Sequence, residues 1–187
     1  IKQAFSMSEK EQNSYTHTLA KVNREVLEEA EREKHFVVLL AGRPYHTDAL
    51  IQHKISDMIS NMGIDVITDD IVRDEDIEIN DAHFLAQWSY PNRMLKAARW
   101  STLQGDQVQF IELTSFGCGP DAFLVDEVRD LLMRNGKTFT LLKLDDINNV
   151  GSMKLRVRSL VESLKLSREQ NEKKKEIEKF KTVPVYD

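Results

Sequence analysis

Short apolar runs alternate with amphipathic segments along the middle of the chain. Residues 36–40 are continuously apolar, as is typical of a strand buried on both faces of a parallel sheet. Similar runs at residues 64–67, 108–113 and 139–144 predict three more strands. Between these runs, apolar residues recur at the spacing of helices that pack against a core. The alternation predicts right-handed crossovers and a parallel sheet.

The predicted helices have residues typical of helix ends. Thr47 or Asp48 is expected to cap the first helix after the opening strand, and Gly63 to end it in the left-handed conformation. Another helix is predicted to close at Gly136, and Ser152 to cap the last one. Residues 71–90 predict a loop with one helical turn.

These elements predict an α/β fold, a three-layer sandwich with a mainly parallel, Rossmann-like sheet of about four strands in the order 2-1-3-4. Residues 1–35 predict a charged helical arm, which needs a partner surface for its scattered apolar positions. Residues 36–166 form the predicted α/β domain, and residues 167–187 a charged linker to a following domain.

Charge is distributed unevenly over the 187 residues. The formal net charge is −5, and it resides in residues 36–166 because the two flanks are nearly neutral. Nucleic-acid binding requires a basic face, so this class of partner is excluded. Residues 65–81 carry eight carboxylates and one arginine but lack the glycine of a calcium loop. They predict a solvated acidic loop, with a metal site as the alternative.

Cysteine usage and hydropathy bound the location of the protein. The single cysteine, Cys118, rules out an internal disulfide and is typical of a reducing compartment. No stretch approaches the roughly 20 apolar residues that span a bilayer, and the N-terminus lacks the pattern of a secretory signal. We therefore expect a cytoplasmic protein without membrane insertion.

Polar residues follow every predicted strand. Ligands of an open parallel sheet bind outside the carboxyl ends of its strands, so these residues should share one rim. Either a binding rim or ordinary loop polarity explains their position. After the four strands in turn, they are Arg43, Tyr45 and His46; Asp69 and Asp70; Ser115 to Asp121; and Asp145 and Asp146.

The segment at residues 115–121 is the strongest chemical signal. Gly117 and Gly119 flank Cys118, and glycine lets a backbone approach a bulky group closely. The helix that begins at this turn would stabilise an anion or a thiolate with its free amides. A buried, inert cysteine is the alternative. The rim residues that we select with it as an anion or substrate site are Arg43, Tyr45, His46, Ser115, Gly117, Gly119 and Asp121.

Several enzyme classes do not fit this cysteine. A phosphatase loop needs an arginine six residues after the nucleophile, where this chain has Leu124. A cysteine hydrolase needs an oriented histidine, and nothing supplies an obvious partner for His46. The histidines show no zinc-ligand spacing. Arg43 could still bind a phosphate or a carboxylate with two hydrogen bonds. No catalytic residue is identified.

Four segments together resemble a known family. They are Val38-Leu39-Leu40-Ala41-Gly42-Arg43-Pro44-Tyr45-His46, Trp88-Ser89-Tyr90-Pro91, Ser115-Phe116-Gly117-Cys118-Gly119-Pro120-Asp121-Ala122, and Lys154-Leu155-Arg156-Val157-Arg158-Ser159-Leu160. This set resembles the large CoA-substrate-specific enzyme activase-related proteins, which are similar to the activator and the D-component of (R)-2-hydroxyacyl-CoA dehydratases. The resemblance covers about residues 36–166.

The resemblance implies a long cytoplasmic polypeptide of anaerobic bacteria, the parent, of which this chain is an internal piece. It implies that Cys118 is one ligand of a [4Fe-4S] cluster in the intact parent. A single cysteine cannot hold such a cluster, so the isolated chain is expected to contain none and to be inactive. The implied partners are other domains of the parent, together with a dehydratase component or an acyl-CoA.

Two functions from different classes stay open. In the first, the chain is a component of a redox enzyme, in which Cys118 binds an iron–sulfur cluster for low-potential electron transfer. Ser115 then hydrogen-bonds the cluster sulfurs, while Arg43 and His46 tune the cluster or contact an acyl-CoA. In the second, the chain is a non-catalytic domain that binds a small anion or docks on a neighbour without a cofactor.

Overall fold

A computed structural model describes residues 1–79, 88–115, 119–144 and 150–181. The chain divides into two compact units, Ile1–Asn148 and Asn149–Asp187. The described strands are β1 (Val37–Ala41), β2 (Asp65–Thr68), β3 (Val108–Thr114) and β4 (Thr140–Lys143). The described α-helices are α1 (Lys2–Glu33), α2 (Ile55–Ser60), α3 (Ser89–Leu103), α4 (Gly119–Arg134) and, in the second unit, α5 (Val150–Lys181).

The four strands form one parallel sheet in the order β2-β1-β3-β4. This arrangement confirms the predicted fold class and strand order. In the centre of the sheet, Leu39 of β1 lies opposite Ile67 of β2 and Phe110 of β3. All three side chains are almost fully buried, which explains why their strands are continuously apolar.

Helices cover both faces of the sheet, which makes the first unit a three-layer sandwich. On one face α1, α3 and α4 contribute Ala30, Met94 and Leu124 to the same apolar cluster as Leu39 and Phe110. On the other face α2 buries Ile55 and Ile59. The carboxyl ends of all four strands therefore meet at one edge, where the loops that precede α3 and α4 also arrive.

Helix α1 packs along β2 and the 3₁₀ turn at Asp69–Val72. The side chain of Asn23 accepts a 2.6 Å hydrogen bond from the backbone N–H of Thr68 and donates one of 2.8 Å to the carbonyl of Leu19. Thr68 ends the edge strand, and Asn23 thus satisfies a backbone group that the sheet leaves open. The predicted domain boundaries after residues 35 and 166 stay predictions.

Some predicted helix starts are wrong. The α-helix expected after Thr47 or Asp48 begins only at Ile55, because the preceding residues form successive turns. The carboxylate of Asp48 accepts hydrogen bonds from the N–H groups of Leu50 and Ile51, a local turn that competes with a helix. Ser152 lies inside α5 and does not cap it.

The two predicted glycine stops are confirmed. Gly63 and Gly136 have φ values of 76° and 73°, the left-handed conformation that glycine adopts without steric cost. None of the described helices is long and apolar enough to cross a lipid bilayer.

Candidate functional site

Arg43 and Asp121 meet at the carboxyl edge of the sheet. Arg43 donates two hydrogen bonds to the Asp121 carboxylate, Nε to Oδ2 at 3.1 Å and Nη2 to Oδ1 at 2.7 Å. The hydroxyl of Tyr90 donates to the same Oδ1 at 3.0 Å, and the Arg43 guanidinium lies 5.0 Å from the centre of the Tyr90 ring. These contacts join the turn after β1 to the first turns of α3 and α4. We call Arg43, Tyr90 and Asp121 the clamp.

The position of Asp121 follows from the local sequence. Gly119 and Pro120 begin α4, and Asp121 lies in its first turn, where the helix dipole favours a negative charge. Arg43 immediately precedes a 3₁₀ turn at Pro44–Thr47, whose proline sets the backbone direction. The two charged groups are therefore held by the backbone before they pair.

His46 and Ser115 form a second contact at the same edge. Nδ1 of His46 accepts a 3.0 Å hydrogen bond from the backbone N–H of Arg43, and Nε2 lies 2.6 Å from the Ser115 hydroxyl oxygen. Burial, with a smaller contribution from the Arg43 charge, lowers the pKa of His46 from 6.5 to about 4. The neutral ring therefore carries its proton on Nε2 and donates it to Ser115.

This tautomer decides what the pair can do. A general base must accept the hydroxyl proton of its serine, but Nε2 of His46 is already protonated. His46 therefore orients the Ser115 hydroxyl and does not activate it as a nucleophile.

Gly42 is required by the same turn. A Cβ atom at this position would lie 2.6 Å from Nδ1 of His46, closer than two such atoms can approach. The absence of a side chain lets the imidazole fold back over the end of β1.

The remaining predicted rim residues differ in their placement. Tyr45 is 39 % exposed, and its ring packs edge-on against His46 with 4.6 Å between the ring centres. Gly119 is the first residue of α4. Gly117, Cys118, Asp145 and Asp146 lie outside the described residues.

Asp69 and Asp70 do not belong to a solvated acidic loop, so that prediction is wrong for both. They are only 1 % and 5 % exposed. Arg93 donates to Asp69 at 2.9 Å, and Arg73 donates to Asp70 at 2.6 Å. Burial raises the pKa of Asp69 to about 6, although Arg93 opposes this shift. In the described part of the chain no three or more His, Cys, Asp or Glu side chains cluster as metal ligands would.

Glu112 is a buried acid that the sequence analysis missed. It lies in β3 with 1 % exposure, and its Oε2 atom has no hydrogen-bond partner among the described residues. Burial, and then the nearby charge of Asp121, raise the pKa of Glu112 to about 8, although Arg129 opposes the shift. The signal was present in the sequence, because Glu112 is the one charged residue within an otherwise buried strand.

Comparison with known families gives a match to the first part of the chain. Residues 1–72 match the family described as a CoA enzyme activase uncharacterised domain (DUF2229). The matched part contains α1, β1, α2 and β2, with Arg43, Tyr45 and His46, and ends before the segment at residues 115–121. No curated protein matches the chain, and neither does any solved structure. The match supports a relationship to CoA enzyme activase-related proteins.

Proposed function

We propose that this chain is the α/β domain of a large CoA-substrate-specific enzyme activase-related protein similar to the 2-hydroxyacyl-CoA dehydratase system. In this proposal Cys118 is one ligand of an iron–sulfur cluster of the intact parent, a cytoplasmic protein of anaerobic bacteria. The match of residues 1–72 supports the activase relationship. The cluster is the finer part of the proposal and is argued from the residues around Cys118.

One observation carries this part. The residues on both sides of Cys118 bind the same short turn, since Ser115 contacts His46 and Asp121 contacts Arg43. Three elements of the turn and its neighbours thus anchor the two ends of segment 116–118 at the carboxyl edge of the sheet. This is the edge where ligands of parallel sheets bind.

The residues present fit one ligand position and not a complete cluster site. A [4Fe-4S] cluster takes four thiolates, and the chain has one cysteine. The described residues also offer no other group of metal ligands. We therefore assign no reaction step to this chain, and the other ligands come from other domains of the parent or from a dehydratase component.

The chain's own residues contribute position and hydrogen bonding in this proposal. His46 donates to Ser115, so the Ser115 hydroxyl keeps its own proton for an acceptor at the edge, such as a cluster sulfur or a thiolate. The clamp neutralises Arg43 with Asp121 and holds the start of α4. When bound, the cluster would supply one-electron transfer.

The test is the iron and sulfide content of the anaerobically purified parent. Cys118→Ser is expected to abolish or strongly reduce iron, acid-labile sulfide and the broad visible absorption. Met133→Ser is the matched control, because it also removes a sulfur atom but from a 63 % exposed position on α4. Both variants should melt within a few degrees of the wild type, which excludes misfolding as the cause.

A parent that keeps its full iron content after Cys118→Ser would show that the ligand assignment is wrong. A wild-type parent that contains no iron after anaerobic purification would favour the alternative, a docking or anion-binding domain without a cofactor.

A further inference from the structure

A cavity of about 290 Å³ lies beside the candidate site, on the α2 face of the sheet. Its apolar side is formed by Leu40, Val66 and Leu113, which belong to three neighbouring strands. Its polar side comes from the turn after β1 and from α2. The polar side chains are Thr47, Gln52, Ser56, Ser60 and Thr68. The cavity is therefore two-sided, with aliphatic groups facing hydroxyls and an amide.

The lining favours an uncharged ligand. Among the described residues that line the cavity, only Arg43 and His46 are ionisable. Arg43 is paired with the Asp121 carboxylate, and His46 is neutral at physiological pH because of its burial. A phosphate or carboxylate in this cavity would lose its hydration without gaining an unpaired cation, which is costly.

Ser56 and Ser60 present two hydroxyls one helical turn apart. Residues four apart on a helix have Cβ atoms about 5–6 Å from each other. Neither hydroxyl takes part in any hydrogen bond to the described residues, so both are available to a ligand. Gln52 is fully engaged, because its amide accepts from the Ser56 N–H at 2.9 Å and donates to the Thr47 carbonyl at 3.4 Å. It fixes the wall that carries the two serines.

We infer that this cavity binds the amide-linked pantetheine arm of a CoA thioester, with Ser56 and Ser60 hydrogen-bonded to its two successive amides. Those amides are joined by two methylene groups, which by standard bond lengths separates them by about 5 Å. That spacing matches one turn of α2, and the methylenes would lie on Leu40, Val66 and Leu113. The inference rests on the proposed function, because that proposal makes CoA the relevant ligand.

The size of the cavity agrees with such a segment. A water molecule in the liquid occupies about 30 Å³, so the cavity holds about ten groups of that size. This is enough for both amides and the carbons between and beside them. It leaves the charged nucleotide end of CoA outside, where Tyr45 and the surface of the turn are exposed.

The test uses N-ethylpantothenamide, which keeps both amides of pantetheine but has no thiol that could exchange with Cys118. Titration of the ¹⁵N-labelled chain should give saturable shifts at Thr47, Ser56 and Ser60. The double variant Ser56→Ala/Ser60→Ala should weaken binding at least tenfold, while it keeps the cavity open. Ser163→Ala, an exposed serine on α5, is the matched control and should bind like the wild type.

Two results would overturn the inference. One is the absence of saturable shifts at millimolar N-ethylpantothenamide, or shifts that the double variant retains at full affinity. The other is a stronger response of the same residues to adenosine 3′,5′-bisphosphate, which would make the cavity a nucleotide site. Neither result changes the iron content of the parent, so this inference and the cluster assignment fail independently.

Discussion

Arg43 and Asp121 are 78 residues apart in the chain and form a two-point ion pair at the carboxyl edge of the sheet. Their side chains are only 24 % and 7 % exposed, so solvent screens the pair weakly. The pair connects the end of the first strand to the start of the helix after the third. It is the tertiary contact on which the geometry of the candidate site depends.

Asp121→Asn should lower the free energy of unfolding by about 2–3 kcal/mol, because it leaves the Arg43 guanidinium partly buried beside a neutral amide. Urea denaturation of the purified chain measures this loss. Asp130→Asn is the control, since the Asp130–Arg134 pair on the same helix is mostly exposed and should contribute less than about 0.5 kcal/mol. Equal losses in the two variants would contradict a structural role for the clamp.

The neutral His46 ring makes stability depend on pH. Its pKa is about 4 in the folded chain and near 6.5 when unfolded, so the unfolded chain binds more protons between these values. Stability attributed to His46 is therefore complete above pH 6.5 and is lost as pH falls from 6.5 towards 4. In the variant His46→Gln this part of the pH dependence should disappear.

Nitrogen NMR of the imidazole gives a direct measurement of the same property. We expect a protonated Nε2, an unprotonated Nδ1 and a titration midpoint well below 6. A protonated Nδ1 at pH 7 would contradict the hydrogen bond from Arg43 and would reopen His46 as a base for Ser115.

Glu112 should have the opposite dependence on pH. Its pKa rises from 4.5 to about 8 on folding, so the folded chain holds a proton that the unfolded chain releases. Stability is then greatest below pH 4.5 and decreases as pH rises from 4.5 to 8, by up to about 1.4 kcal/mol per pH unit. Glu112→Gln keeps the shape and removes the acid, so it should be more stable than the wild type at pH 8.

The matched control for Glu112 is Glu28→Gln on the exposed side of α1, which should leave the pH dependence unchanged. Denaturation curves at pH 5, 6.5 and 8 separate the two variants. A Glu112→Gln variant with the same slope as the wild type would show that Glu112 is ionised in the folded chain.

Gly42→Ala tests the close approach of His46 to the end of β1. The added Cβ would collide with the imidazole, and the turn would have to shift at a cost of about 1–3 kcal/mol. The NMR signals of His46 should change with it. Gly151→Ala in α5 meets no atom within 4 Å and should be neutral or stabilising by up to about 1 kcal/mol. A Gly42→Ala variant as stable as Gly151→Ala would rule out the contact.

The sheet was predictable because each of its strands has a local signature. Leu39 and Phe110 lie in runs that are apolar at every position, as burial on both faces requires. The handedness of parallel crossovers then restricts the order of the strands. The prediction was less successful at helix starts, since the carboxylate of Asp48 stabilises a turn as well as it would cap a helix.

Side-chain partners at the rim were not predictable in the same way. Sequence analysis considered Arg43 as a clamp for a ligand anion, while the structure pairs it with Asp121. It described Asp69 as part of a solvated stretch, while Arg93 of α3 holds it in the interior. Glu112 escaped notice because one acid in an apolar run does not change the strand signal.

The amino-acid order by itself determined the α/β class, the four parallel strands and the edge at which polar residues collect. These features depend on burial patterns that repeat within a few residues of each other. Only the tertiary structure decided that Arg43 meets Asp121, that His46 donates to Ser115, and that Glu112 is buried without a partner for one of its oxygens among the described residues. Such pairings depend on where each crossover brings distant residues into contact, and no local pattern encodes that distance.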